Sequence, residues 1–224
     1  MLRPALLVVL LAVLAVDGAA QAPAGWKVRI DGSPSASASG AGTTLKIAPT
    51  EKGFHLSGGP GAVIWDPAHS VKPIFRVRAT FTTLKPADKP TYYGLFIGGT
   101  DMDGATPSYV YFAIAQDGTF IVRHREADKI DEIDKSLHYA IKKPDASGKM
   151  VNTLDVQVAP TAVSYVVNGA VATATPTRSA VAGNSFTLTE KIGGIVGVRI
   201  DGSIDVQVDN FSFESPFQLN DRGQ

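Results

Sequence analysis

The chain has no cysteine among its 224 residues. That excludes a disulfide framework, a thiolate metal site, a cysteine nucleophile and a lipid-modified N-terminal cysteine. It has no net charge either, since 21 basic residues stand against 21 acidic ones. A balanced chain has no overall field to draw it onto nucleic acid or an anionic membrane, so no nucleic-acid partner is expected. Helical periodicity is nearly absent after the first residues, as are a G-x-S-x-G nucleophile elbow, a phosphate loop and a dinucleotide fingerprint. The histidines at 55, 69, 124 and 138 have no partner at metal-ligand spacing and read as surface or loop residues. Long apolar runs are missing too. The one between Ala5 and Val16 is about a dozen residues, short of the roughly 20 that cross a bilayer as a helix, so no membrane span is expected.

That run has another meaning. Arg3 precedes it and the small residues from Gly18 to Ala22 follow, in the order of an export signal. A signal peptide over residues 1–20, cut before Gln21, would deliver the mature chain to the periplasm or the medium. An oxidising compartment is then available and unused, so the apolar core alone must hold the fold. A chain of this size buries roughly 70% of its unfolded surface, which suffices. The expectation is one domain over residues 21–216. Residues 33–42, almost without side-chain volume, read as a flexible loop, and residues 217–224 as a frayed polar tail.

What is present is alternation. In residues 74–83 Phe75, Val77, Ala79 and Phe81 point one way and Arg76, Arg78, Thr80 and Thr82 the other. Leu154, Val156 and Val158 repeat the pattern, as do Val196, Val198 and Ile200 against Arg199. Asn168-Gly169 and Asp117-Gly118 both mark hairpins. Near the C-terminus the parity breaks at Asp209-Asn210, where a β-bulge would return Phe211 and Phe213 to the inside. The glycine-rich residues 55–61 read as a turn, and Trp65 as a core anchor or a rim stacking residue. Together these predict an all-β, antiparallel two-sheet sandwich of about a dozen strands with little helix.

The order of GWKV, GLFIGG, NTLDVQV, SYVVNGAV, GIVGVRI and DVQVDNFSFE resembles the concanavalin A-like lectin/glucanase superfamily. Within it the chain is most similar to exported bacterial domains of the 3-keto-disaccharide hydrolase type. The resemblance implies a jelly roll, often with carbohydrate on a concave face or rim, and carries over no catalytic residue. Laminarinase-like members place their acids on a strand reading E-x-D-x-x-E. Here Glu132 and Asp134 match and Leu137 departs. Alternation would put Glu132 and Asp134 on one face, as a catalytic carboxyl pair requires. Against that, Ile130, Ile133 and Leu137 fall at helical spacing, the reading of a solvated loop or short helix. Asp101 and Asp103 offer oxygen ligands of the kind a structural calcium takes, without the full loop motif; no other cofactor is expected.

Residues 109–125 hold the candidate ligand site. If the Asp117-Gly118 loop has two or four residues, Tyr109, Tyr111 and His124 share one face, and Arg123 and Arg125 the other. A tyrosine face would stack on a pyranose, with His124 as polar partner. An arginine face, joined by Arg76 and Arg78, would hold sugar hydroxyls, uronates or another anion. The plain alternative makes the tyrosines core and the arginines solvated. By location and resemblance, the leading expectation is an exported, non-catalytic carbohydrate-recognition or accessory module whose partner is a glycan or oligosaccharide. A glycoside-cleaving enzyme of the 3-keto-disaccharide hydrolase type and an envelope protein-interaction domain are the alternatives. The oligomeric state is left open.

Overall fold

A computed structural model describes residues 23–32, 45–176 and 192–216. The residues expected to form a signal peptide (1–20), a flexible loop (33–42) and a frayed tail (217–224) lie outside the described residues. Fourteen strands build two seven-stranded sheets, every pairing is antiparallel, and the described residues contain no α-helix. The front sheet runs β1 (Lys27–Ile30), β4 (Ala62–Val71), β13 (Gly194–Ile200), β6 (Tyr93–Thr100), β7 (Ser108–Ile114), β8 (Thr119–Glu126) and β9 (Lys129–Leu137). The back sheet runs β12 (Ala170–Pro176), β11 (Ala162–Val167), β10 (Met150–Val158), β5 (Phe75–Thr83), β14 (Ile204–Glu214), β3 (Gly53–Gly58) and β2 (Lys46–Pro49).

The alternating strands bury the faces their sequences predict. Phe75, Val77, Ala79 and Phe81 of β5 and Leu154, Val156 and Val158 of β10 meet Leu95, Phe112 and Val198 of the front sheet in one core. Each such side chain removed from water contributes about 1.5–3 kcal/mol, which stands in for the missing disulfides. Asn168 (φ +51°) and Gly169 (φ +86°) turn the chain between β11 and β12. The β14–β5 register slips between Asp209 and Ser212, with Asn210 at φ +53°, and Phe211 and Phe213 pack against the core.

Three readings of the sequence change. Residues 129–137 are neither loop nor helix but the edge strand β9, paired along β8 with a register shift opposite Val122 and Arg123. The shift turns Ile133 toward the core while Ile130 and Leu137 stay outside, so their helical spacing is a product of the bulge. Of the glycine-rich residues 55–61, the first four belong to β3. The histidines 55, 69 and 124 lie on strands, and His124 is buried.

Candidate functional site

The turn after β7 decides what the front sheet presents. Ala115 N–H donates to the Thr119 carbonyl and Gly118 N–H to the Ala115 carbonyl, so three residues, 116–118, form the loop. Gly118 takes φ +91°, a conformation that favours glycine, and Asp117 Oδ1 caps it by accepting from Thr119 N–H at 2.9 Å. An odd loop swaps the expected partners. Tyr109 stands opposite Arg125 and Tyr111 opposite Arg123, so tyrosines and arginines share the outer face. His124 faces the core, where its Nε2 lies 3.1 Å from Ser108 Oγ. Arg76 and Arg78 belong to the outer side of the back sheet, where Arg76 grips Asp155 through Nε at 3.0 and 2.9 Å. They cannot join Arg123 and Arg125.

Register carries an aromatic row across the outer face of the front sheet. Trp65, Gly197, Phe96 and Tyr111 lie side by side on β4, β13, β6 and β7, followed by Arg123 and Glu132 on β8 and β9. Val63, Tyr109, Ala113, Ile121 and Met102, from the loop after β6, complete this second apolar cluster. Trp65 is therefore buried, in the floor of the outer face and not between the sheets.

Above the floor lies a chain of ion pairs. Arg199 on β13 is 2% exposed. It holds Asp31 through two contacts (Nη1–Oδ1 2.7 Å, Nη2–Oδ2 2.5 Å) and Asp201 through Nε and Nη2 at 2.7 Å each. Asp31 Oδ1 also accepts from Arg125 Nη1 at 2.5 Å. On the other side Asp201 lies 3.8 Å from Arg123, which donates to Glu132 at 3.1 and 2.8 Å. Arg29 is tied to the carbonyls of Met102 (3.2 Å) and Gly104 (2.5 Å). At Gly61 a Cβ would come within 2.3 Å of Asp31 Oδ2, so a larger residue there would displace this carboxylate.

The contact between Asp31 and Arg125 also gives the shape of the face. Asp31 N–H still pairs with Gly61 beside β4, while Arg125 lies on β8, five strand spacings from β1. In a flat sheet that is about 24 Å, beyond the reach of the two side chains. The front sheet is therefore curled and its outer face is concave.

Charge follows from the packing. Burial lowers the affinity of Arg199 for its proton, but Tyr109, Asp31 and Asp201 outweigh that and hold its pKa well above the ordinary value. Burial raises the pKa of Asp31, and the Arg199 and Arg125 guanidiniums outweigh it, leaving the carboxyl below the usual range. Burial pushes up the pKa of both Tyr109 and Tyr111. The Tyr109 hydroxyl lies 3.4 Å from Arg199 Nη1, whereas Tyr111, with Arg123 close by, has no aligned hydrogen bond. The Arg199 guanidinium lies 5.4 Å from the centre of the Tyr111 ring.

The tyrosines are 2% and 1% exposed, so no pyranose reaches their faces unless the arginines move aside. The groups open to a ligand are polar: the side chains of Glu132 (45% exposed), Asp31 (33%), Arg123 (24%) and Asp201 (16%). Planar carboxylates and guanidiniums in alternation form a dense array of acceptors and donors. Asp134 stands opposite Val122, so the register shift separates it from Glu132. Asp101 accepts from Thr106 N–H and Oγ1 at 2.7 and 2.8 Å, and Asp103 pairs with Lys27 at 2.6 Å. Among the described residues no three acidic or histidine side chains group as metal ligands.

Sequence reasoning overlooked Asp31, Arg199 and Asp201. The available signal was a lone arginine in the apolar run GIVGVRI, with an aspartate directly after it.

No protein-family profile and no curated protein sequence matches the chain. Solved structures do. The carbohydrate binding module CBM66 from Bacillus subtilis is similar at 13% identity, over 78% of this chain and 96% of that one, with a TM-score of 0.55. A protein of unknown function with a galectin-like fold, also from Bacillus subtilis, is similar at 12% identity, over 84% and 88%, with a TM-score of 0.57. At these identities the likeness is one of fold.

Proposed function

We propose that this chain is an exported, non-catalytic carbohydrate-recognition or accessory module whose ligand lies on the concave face of the front sheet. The observation that carries this reading is the array of Arg123, Asp201, Arg199, Asp31 and Arg125 across that face. Sugar hydroxyls donate and accept in nearly all directions, and alternating fixed guanidiniums and carboxylates offer both roles without rearrangement. The fold shared with a carbohydrate binding module supports the same assignment. A glycan array tests it. The protein should retain particular oligosaccharides, and Arg123→Gln with Glu132→Gln, one half-buried and one exposed position, should weaken retention by about tenfold or more, as for two charged hydrogen bonds. Undiminished retention by the double variant would move the ligand off this face.

One observation favours a second reading, a glycoside-cleaving enzyme of the 3-keto-disaccharide hydrolase type. Asp31 Oδ2 and Asp201 Oδ1 both contact Arg199 Nη2, which keeps these oxygens within about 5 Å of one another, near the separation of a retaining carboxyl pair. The electrostatics weigh against it. A general acid must hold a proton near neutral pH, and the arginines keep Asp31 ionised. Hydrolysis of an oligosaccharide by the purified protein, abolished by Asp201→Asn, would replace the first reading with this one.

A further inference from the structure

The net charge of zero conceals an uneven surface. Three connections gather at one end of the sandwich: residues 84–92 between β5 and β6, residues 115–118 between β7 and β8, and residues 138–149 between β9 and β10. Gln116 ties the first two together, donating to the carbonyls of Ala87 at 3.0 Å and Lys89 at 2.7 Å. His138 N–H donates to the Gly118 carbonyl at 3.0 Å, and Pro86 lies against Gly148, which closes the group.

This end carries Tyr139 at 88% exposure, Leu137 at 69% and Leu84 at 41%; Tyr139 and Leu137 are the two most exposed large apolar side chains among the described residues. They are not the loose ends of a frayed loop. Ile141 is buried, the Ala140 carbonyl accepts from Asn168 Nδ2 at 2.7 Å, and Lys142 N–H donates to the buried Asn152 Oδ1 at 2.9 Å. The fold thus spends hydrogen bonds on holding Tyr139 out in water. The first and third of these connections also carry the exposed lysines 85, 89, 142, 143 and 149. The acids of the three connections are Asp88, Asp117 and Asp145. Asp117 and Asp145 are exposed and bonded only within their own turns, Asp117 to Thr119 and Asp145 to Ser147 and the Lys149 N–H, so five lysines stand against three acids.

We propose that this end of the sandwich is a docking surface for a membrane that contains anionic lipid. Tyr139 and Leu137 enter the headgroup boundary, and the lysines meet the lipid phosphates around them. The excess of two positive charges, five exposed lysines against three exposed acids, selects an anionic partner. The apolar tips select a lipid surface over a soluble polyanion, because an aliphatic leucine adds nothing to binding a hydrated acidic chain. The proposal is independent of the glycan reading, since it uses residues outside the ion-pair array.

Vesicle cosedimentation tests it, using the protein recovered from the periplasm or medium of an expressing bacterium. The protein should sediment with vesicles of mixed phosphatidylglycerol and phosphatidylcholine, remain free of vesicles of phosphatidylcholine alone, and be released by high salt. Leu137→Ser with Tyr139→Ser, and separately Lys142→Glu with Lys143→Glu, should each reduce binding by about tenfold or more. All four positions are exposed, so both variants should melt at the temperature of the parent, and the salt dependence of the unaltered protein supplies a readout that needs no variant. Absence of binding to the anionic vesicles, or equal binding by the Leu137→Ser, Tyr139→Ser variant, overturns the proposal. So does retention of a soluble oligosaccharide that depends on Tyr139 while the vesicles are ignored, which would make this end a sugar platform.

Discussion

Arg199 is the residue on which the concave face depends. A guanidinium at 2% exposure is costly to bury, and it is tolerated because Asp31 and Asp201 engage its Nε and both terminal nitrogens. Asp31→Asn keeps the shape and removes one of the two charges. At neutral pH it should lower stability by about 1–2 kcal/mol in urea unfolding, a figure held down because a third of the Asp31 side chain still meets water. The sign with pH follows from the lowered pKa. As pH falls, the unfolded chain takes up the proton first, near the ordinary 3.8, so the stabilisation is complete above that value and is lost as pH passes through the lower folded value. Wild type and Asp31→Asn should therefore converge in strong acid. A stability gap that persists undiminished there would show that Asp31 contributes packing and not charge.

At the scale of elements, β13 joins the two halves of the front sheet and has glycine where the aromatic row passes through it. A Cβ on Gly197 would lie 2.4 Å from the Ile64 carbonyl oxygen, 2.7 Å from Phe96 Cε1 and 3.0 Å from Trp65 Cβ. Backbone cannot yield as a flexible side chain does. Gly197→Ala should thus cost about 2–3 kcal/mol by chemical denaturation, and an unchanged midpoint would mean that the row is looser than these distances require. Strands β5, β10 and β13 and the Asn168-Gly169 hairpin were legible in the sequence, since each is central or tightly turned and local alternation matches its burial. β9 was not. It is an edge strand with one ladder, it is studded with charges that discourage pairing with other molecules, and its bulge destroys the period-2 signal. The loop after β7 was legible as a turn but not in its length, and one residue of length reassigned every side chain of the hairpin.

For the whole molecule, no disulfide contributes to stability. Reductant should leave the melting temperature unchanged, because the chain has no cysteine. A strong chelator should also leave it unchanged. Asp101 and Asp103, the acids closest to a calcium motif, are engaged by Thr106 and Lys27. A fall in melting temperature on chelation, reversed by calcium, would instead assign the turn at residues 101–106 a structural ion. The candidate site was legible in part: Tyr109, Tyr111, Arg123 and Arg125 were all singled out, but as rival faces, and their common partners Asp31, Arg199 and Asp201 come from other strands. The contact between Asp31 and Arg199 joins residues 168 apart along the chain. No local pattern reports a contact of that separation.

The sequence by itself determined the class of fold, the hairpins and the inward faces of the central strands, because each depends on neighbours one or two residues away and on the period of a strand. It determined equally that no disulfide could take part. Only the tertiary structure decided that the tyrosines lie beneath the arginines, that the outer face of the front sheet is concave, and that lysines and exposed apolar tips from two separate connections and the end of β9 meet at one end. Each of these depends on which distant strands become neighbours and on how far the sheet curls. Composition averages such features away, as the net charge of zero does for the basic end.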